Sequence, residues 1–275
     1  MFLFSNFAQA KDGQYICSLK KPKKTFSGII MSVTGMNFIS KNIIENVISS
    51  IIKKETNSKV KIKLSGFFGS NILKGEFREL KANAKTFSYD EFYFSNLDVK
   101  TRCSYNHISL VDKEVKINED LILDYSLDVT QDDLVKITNS DKYKKIIEKM
   151  NSDKAISAFL QIKESNFEIR KNKLYLKYTV IPSAKNDIIA LISKNIKPIK
   201  ISIGADLKVV DGKIELCNLT SSKYVNFAPI INRLNPLLYD FEIDENNKGE
   251  LKIKFVEIKE NKIHLKGEIF IPKNK

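Results

Sequence analysis

The side chains able to carry chemistry are few and widely spaced. Cysteine stands at 17, 103 and 217 and histidine at 107 and 264. No C-x-x-C pair occurs and only two histidines are available to help, so the spacing that holds a metal ion is absent. Three cysteines at wide separation allow at most one disulfide, and each reads as a small buried or surface residue. Cys17 follows Gln14-Tyr15-Ile16 and lacks the small residue that precedes a lipidated cysteine, so no lipoprotein is expected. The chain has no Gly-rich phosphate loop, no G-x-S-x-G elbow and no His-rich metal motif. Asp132-Asp133 is explained by a helix start. The sequence predicts no catalytic site, no enzyme, no metal and no cofactor.

What remains is charge. The formal net charge is +13 over 275 residues, which points to anionic partners: nucleic acid or acidic lipid headgroups. Nearly all of the positive charge is Lys, with Arg only at 78, 102, 170 and 233, whereas reading bases and phosphates favours the Arg fork. An AT-rich genome would equally give the abundance of Lys, Asn and Ile. Two clusters stand out as candidates for docking on an anionic membrane: Lys20, Lys21, Lys23 and Lys24 around Pro22, and Lys59, Lys61 and Lys63.

The elements that must carry these residues follow from periodicity. Residues 1–10 read as the end of a secretory signal, closing on Ala8-Gln9-Ala10 with Lys11 as the first mature residue, although no basic segment precedes Phe2 and the apolar run is short. Export, to the periplasm or cell envelope, is the expectation. Residues 11–36 form a basic leader, either an arm that touches membrane or partner or a solvated tail. No stretch reaches the roughly 18 consecutive apolar residues needed to cross a bilayer. A single domain over 37–275 is expected, with halves at about 37–150 and 151–275.

From Asn37 to Asn57 a helical period sets in, with Ile39, Ile43, Ile44, Val47, Ile48, Ile51 and Ile52 at i, i+3, i+4 spacing. These cover an arc of roughly 220°, wider than the stripe of a helix lying on one surface, so cover on more than one side is expected. Period two follows: Val60, Ile62 and Leu64 alternate with Lys59, Lys61 and Lys63, a half-buried strand with a basic outer face. Phe67 and Phe68, between Gly66 and Gly69, suit a core plug or an apolar tip dipping into lipid. Residues 76–129 read as successive strands. Thr130 offers an N-cap to a helical stretch that breaks near 139–141 and continues to Met150. Three alternating hairpins follow at 167–176, 207–216 and 256–265, the middle one turning on Asp211-Gly212. A short helix is expected over 226–239.

This order of elements resembles the LmeA-like phospholipid-binding domain, a bacterial envelope family. The resemblance spans most of 37–271. It rests on the leading helix, the strand into Leu64-Ser65-Gly66-Phe67, Ile72-Leu73-Lys74-Gly75, the helix start Thr130-Gln131-Asp132-Asp133-Leu134, and Leu207-Lys208-Val209-Val210-Asp211-Gly212-Lys213-Ile214. It implies an α+β fold in which an elongated, twisted antiparallel sheet curls around a long amphipathic helix, as in tubular lipid-binding folds, leaving an apolar groove. The expected function is non-catalytic phospholipid binding or transfer at the envelope, with lipid against Ile43, Ile44, Val47, Ile48, Ile51, Phe67 and Phe68. The alternatives are a basic nucleic-acid or anionic-surface binder, with nucleic acid the less favoured partner, and a structural envelope protein.

Overall fold

The computed structural model describes residues 15, 17, 36–66, 71–72, 74–111, 114–152, 154–157, 160–183, 197–221 and 249–273. Alternation of apolar and polar side chains, which buries one strand face and wets the other, governs most of them. The elements are α1 (Met36–Thr56), β1 (Lys61–Ser65), β2 (Glu76–Phe77), β3 (Glu79–Tyr89), β4 (Phe92–Thr101), β5 (Asn106–Val111), β6 (Glu114–Ile117), β7 (Leu121–Thr130), α2 (Gln131–Asn139), α3 (Asp141–Ser152) and α4 (Lys154–Ser157). They continue with β8 (Leu160–Arg170), β9 (Lys173–Pro182), β10 (Ile199–Val210), β11 (Lys213–Ser221), β12 (Glu250–Lys259) and β13 (Lys262–Ile271).

The strands form a six-stranded sheet, β1-β3-β4-β7-β13-β12, a four-stranded sheet, β11-β10-β9-β8, and a small sheet, β2-β5-β6. The last hairpin, β12–β13, thus completes a sheet begun in the first half of the chain, with β13 antiparallel to β7 from Lys262↔Thr130 to Ile271↔Leu121. Four hairpins turn on two residues that both have positive φ: Asp90-Glu91, Lys171-Asn172, Asp211-Gly212 and Glu260-Asn261. This is the turn whose twist matches that of the strands it joins.

Two apolar clusters lie on one face of the six-stranded sheet, because Leu97 and Val99 of β4 pack against both. Over β7, β13 and β12, the residues Leu127, Val129, Leu265 and Ile253 meet Leu176, Ile203, Ala205 and Leu216 of the four-stranded sheet, so this half is a sheet-on-sheet sandwich. Over β1 and β3, α1 is the cover, with Ile44, Ile48 and Ile52 set against Ile62, Leu64, Ala82 and Ala84. Gly267 of β13 permits a close approach in the sandwich: a Cβ there would lie 2.1 Å from the Lys252 carbonyl oxygen and 2.6 Å from the Tyr125 hydroxyl.

The helices also finish the sheets. Thr130 caps α2: its Oγ1 accepts from the Asp133 backbone N–H, and its own N–H donates to Asp133 Oδ2 at 2.9 Å. The first residue of α2, Gln131, donates from Nε2 to Phe167 O and accepts at Oε1 from Ile169 N–H, both at 2.8 Å. On α3, Asn151 treats Ile162 the same way, at 2.9 and 2.8 Å. Both amides therefore occupy ladder positions on β8, the edge strand of its sheet. At the β1 edge, Ser49 Oγ donates to Val60 O at 2.8 Å and the Glu45 carboxylate accepts from Leu64 N–H.

The expected architecture is corrected in two respects. The described residues are mostly β rather than α+β, and among them no sheet curls around a long amphipathic helix. The reason lies in α1 itself. Its isoleucines are spread too widely to give one stripe, so Ile44, Ile48 and Ile52 reach the sheet at one edge while Val47 is 37% exposed. The core of the larger half is closed by a second sheet, which the wide arc of α1 made no provision for.

Candidate functional site

The face of the six-stranded sheet opposite the two clusters is built by the register of its strands. In β1, Lys61 and Lys63 alternate with buried Ile62 and Leu64; in β3, Lys81 and Lys85 alternate with buried Ala82 and Ala84. Pairing places Lys63 opposite Lys81 and Lys81 opposite Lys100. Three lysines therefore stand side by side across three strands, at positions where opposed Cβ atoms lie about 5 Å apart. Lys59, Lys61 and Lys85 flank the row and are exposed, as are all three of its members. Lys81 has a carboxylate neighbour in Glu79 at 3.1 Å. Among the described residues, Lys59, Lys61, Lys63, Lys85 and Lys100 form no ion pair, although Lys100 stands across from Asp124 of β7.

The same cross-strand line continues as Asp124 of β7, Glu268 of β13 and Lys252 of β12, where charge is balanced. Glu268 is fully buried; its Oε2 is 2.6 Å from Arg102 Nη2 and 2.7 Å from Lys254 Nζ. Burial opposes ionisation of this carboxyl, but Lys254 and Arg102 outweigh it and hold it below its usual range. Arg102 also donates to Asp124, from Nε at 3.1 Å. The face is thus divided: strands β1, β3 and β4 carry excess positive charge, and strands β7, β13 and β12 neutralise theirs.

A short piece of the leader closes the neutral half. Cys17 is disulfide-bonded to Cys103, two residues beyond the end of β4. Tyr15 stacks on Phe270 of β13 with ring centroids 4.3 Å apart. Its hydroxyl donates to the Glu250 carboxylate, and Lys252 Nζ lies 4.7 Å from its ring centre. Beneath it, Tyr15, Cys103 and Ile122 form a small apolar cluster joined by Cys17 and Phe270. Burial raises the Tyr15 phenol, and the Tyr15 hydrogen bond lowers the Glu250 carboxyl. The leader is therefore pinned at 15 and 17, where the sequence offered an arm or a tail, and two of the three cysteines pair.

Of the expected lipid-contacting residues, Ile44 and Ile48 are spent on the sheet, Ile51 is half-buried and Val47 faces outward. Ile43 lies within α1, but its side chain is outside the described set, as are Phe67 and Phe68. Lys20, Lys21, Lys23 and Lys24 lie outside the described residues, as do the signal-like segment 1–10 and the expected helix over 226–239. Lys59, Lys61 and Lys63 are where the alternation put them. Sequence reasoning missed Lys81, Lys85 and Lys100; the alternation Leu80-Lys81-Ala82-Asn83-Ala84-Lys85 was the available signal for two of them. Among the described residues no group of His, Cys, Asp and Glu could hold a metal ion, and no helix is long and apolar enough to cross a membrane. No family model, curated protein or solved structure matches the chain.

Proposed function

We propose that this chain is a non-catalytic protein of the bacterial envelope that binds phospholipid and docks on anionic membrane through the outer face of β1, β3 and β4. The observation that carries the reading is the row Lys63–Lys81–Lys100. Like charges placed directly opposite one another on a sheet oppose folding, so a row of three without a matching row of carboxylates calls for an anionic counterpart outside the chain. Each Lys near an anionic leaflet contributes about 1 kcal/mol, and the field fades within a Debye length of about 8 Å. A flat row presents all three at one depth. The other positions around the row are Ser65, Glu79, Asn83 and Asp98, with none of the aromatics that single-strand nucleic-acid binders interleave with their cations. Membrane is therefore favoured over nucleic acid.

The Cys17–Cys103 disulfide supports export to that compartment, since disulfides persist in oxidising environments. The resemblance to the LmeA-like domain supports phospholipid as the ligand class, and Val47, on the outward flank of α1, is its candidate acyl contact. The test is sedimentation with phosphatidylcholine vesicles with and without phosphatidylglycerol. Binding should require the anionic lipid and weaken as salt rises. Salt-insensitive binding to neutral vesicles, or tight oligonucleotide binding in its place, would reject the reading.

A further inference from the structure

Among the described contacts, Tyr15 and Cys17 are held on the sheet by one disulfide, by burial of the Tyr15 ring stacked on Phe270, by a hydrogen bond to Glu250 and by a cation over the ring. The two sulfurs are not equivalent. Cys103 is 3% exposed and belongs to the buried cluster, whereas Cys17, packed against that cluster, is only partly buried. A thiolate has to approach the sulfur it attacks, and only Cys17 offers that approach. Beneath Tyr15 lie Ile122, 1% exposed, and Phe270, directly paired across β7 and β13. They are apolar residues on the face that otherwise carries charge.

We infer that the Cys17–Cys103 disulfide is a thiol-operated latch that covers an apolar seat, Ile122 and Phe270, on the docking face, and that opening it adds an apolar contact with the anionic bilayer. This rests on the docking proposed above. In the step itself, the thiolate of a small thiol attacks Cys17 Sγ and a new S–S bond forms there. The Cys17–Cys103 bond breaks, and Cys103 leaves as a thiolate and takes a proton. A second thiol then attacks the mixed disulfide, frees the Cys17 thiol and leaves the two small thiols oxidised to their disulfide, so two electrons pass to the protein. Without the covalent tie the ring of Tyr15 competes with solvent, and the seat becomes available to acyl chains. Lys252, which lies over the Tyr15 ring while the latch is shut, is released toward headgroups at its rim.

The experiment uses the full chain and glutathione. Peptide mapping should find glutathione on Cys17 and not on Cys103, and hydrogen exchange over 268–271 should rise once Cys17 is capped. Capped protein should then partition about tenfold more strongly onto phosphatidylcholine vesicles containing phosphatidylglycerol, since tenfold is about 1.4 kcal/mol, within what burial of one aromatic side chain supplies. Phe270→Ala should abolish that gain. Glutathione on Cys103, or unchanged exchange after capping, would overturn the latch. An opened latch with unchanged partitioning would overturn the seat while leaving the lysine face standing. Failure of the lysine-face reading is seen separately, as uncapped protein whose vesicle binding is indifferent to Lys63→Glu and Lys100→Glu.

Discussion

Replacing the central lysine of the row, Lys81→Thr, should move stability and membrane binding in opposite directions. Lys81 faces Lys63 on one side and Lys100 on the other. Removing it relieves two opposed like-charge pairs, each unfavourable by a few tenths of a kcal/mol. It also removes the ion pair with Glu79, but both partners are more than a third exposed, so solvent leaves that pair about 0–0.5 kcal/mol. Threonine suits an exposed strand position better than lysine. The sum is a gain of about 0.5 kcal/mol, read as a higher urea midpoint at an unchanged slope. On vesicles the same change forfeits about 1 kcal/mol, a factor of about five in partitioning. The triple change at 63, 81 and 100 forfeits about 3 kcal/mol, more than a hundredfold. Urea titration and vesicle sedimentation on the same preparations measure both. Loss of stability together with loss of binding, or a stabilised protein that binds as before, would refute the claim that the row exists for an external anion.

Removing the clasp with Cys17→Ser and Cys103→Ser should cost about 4.5 kcal/mol, the chain-entropy value for cross-linking residues 86 apart; a urea midpoint equal to that of the disulfide-bonded protein would contradict it. Gly267→Ala should destabilise by about 2 kcal/mol or more, because the added methyl would meet the Lys252 carbonyl at 2.1 Å and backbone has to yield; thermal melting checks this. Glu268→Gln should cost about 2 kcal/mol near neutral pH through weakened bonds to Arg102 and Lys254. The carboxyl of Glu268 is lowered in the folded state from an unfolded value of 4.5. Its stabilisation is therefore complete above that value and disappears as pH falls through the folded one. The natural protein should lose stability across that acidic window and the variant should lose less; parallel pH–stability curves would contradict the assignment.

Most of the β structure was legible because it is written locally. Leu121 to Val129 and the hairpins at 167–176, 207–216 and 256–265 alternate with few interruptions, such as Ile122 and Val210, and strands β7 to β13 fall on them. Thr130 announced its helix by the same local logic, through a cap its own side chain completes. The partnership of strands was not legible, since nothing near Lys63 says that Lys81 and Lys100 will be its neighbours. Register is set by which apolar face finds which cover, and that depends on residues far away in the chain. The joining of Cys17 to Cys103 is hidden for the same reason. The helix over 36–56 misled more deeply. Its seven apolar positions implied a sheet wrapped about it, yet three of them suffice to cover the edge of one sheet. The rest of the core is made by strands facing strands, with Leu134 of α2 buried among them.

The amides of Gln131 and Asn151 have a consequence for behaviour in a crowded compartment. An unpaired edge recruits any other strand that meets it, and β8 is eleven residues long. Two carboxamides stand in for a missing neighbour and leave a second copy nothing to add to at those rungs. The protection is conditional, because it resides on two short helices rather than in β8. When α2 and α3 lift away the edge is open over both positions at once, and Leu134, Ile137, Tyr143 and Ile147 leave the core of the sandwich with them. Strand addition at those two rungs of β8 is therefore closed off for as long as the two helices stay docked, and the same apolar contacts that dock them guard the edge.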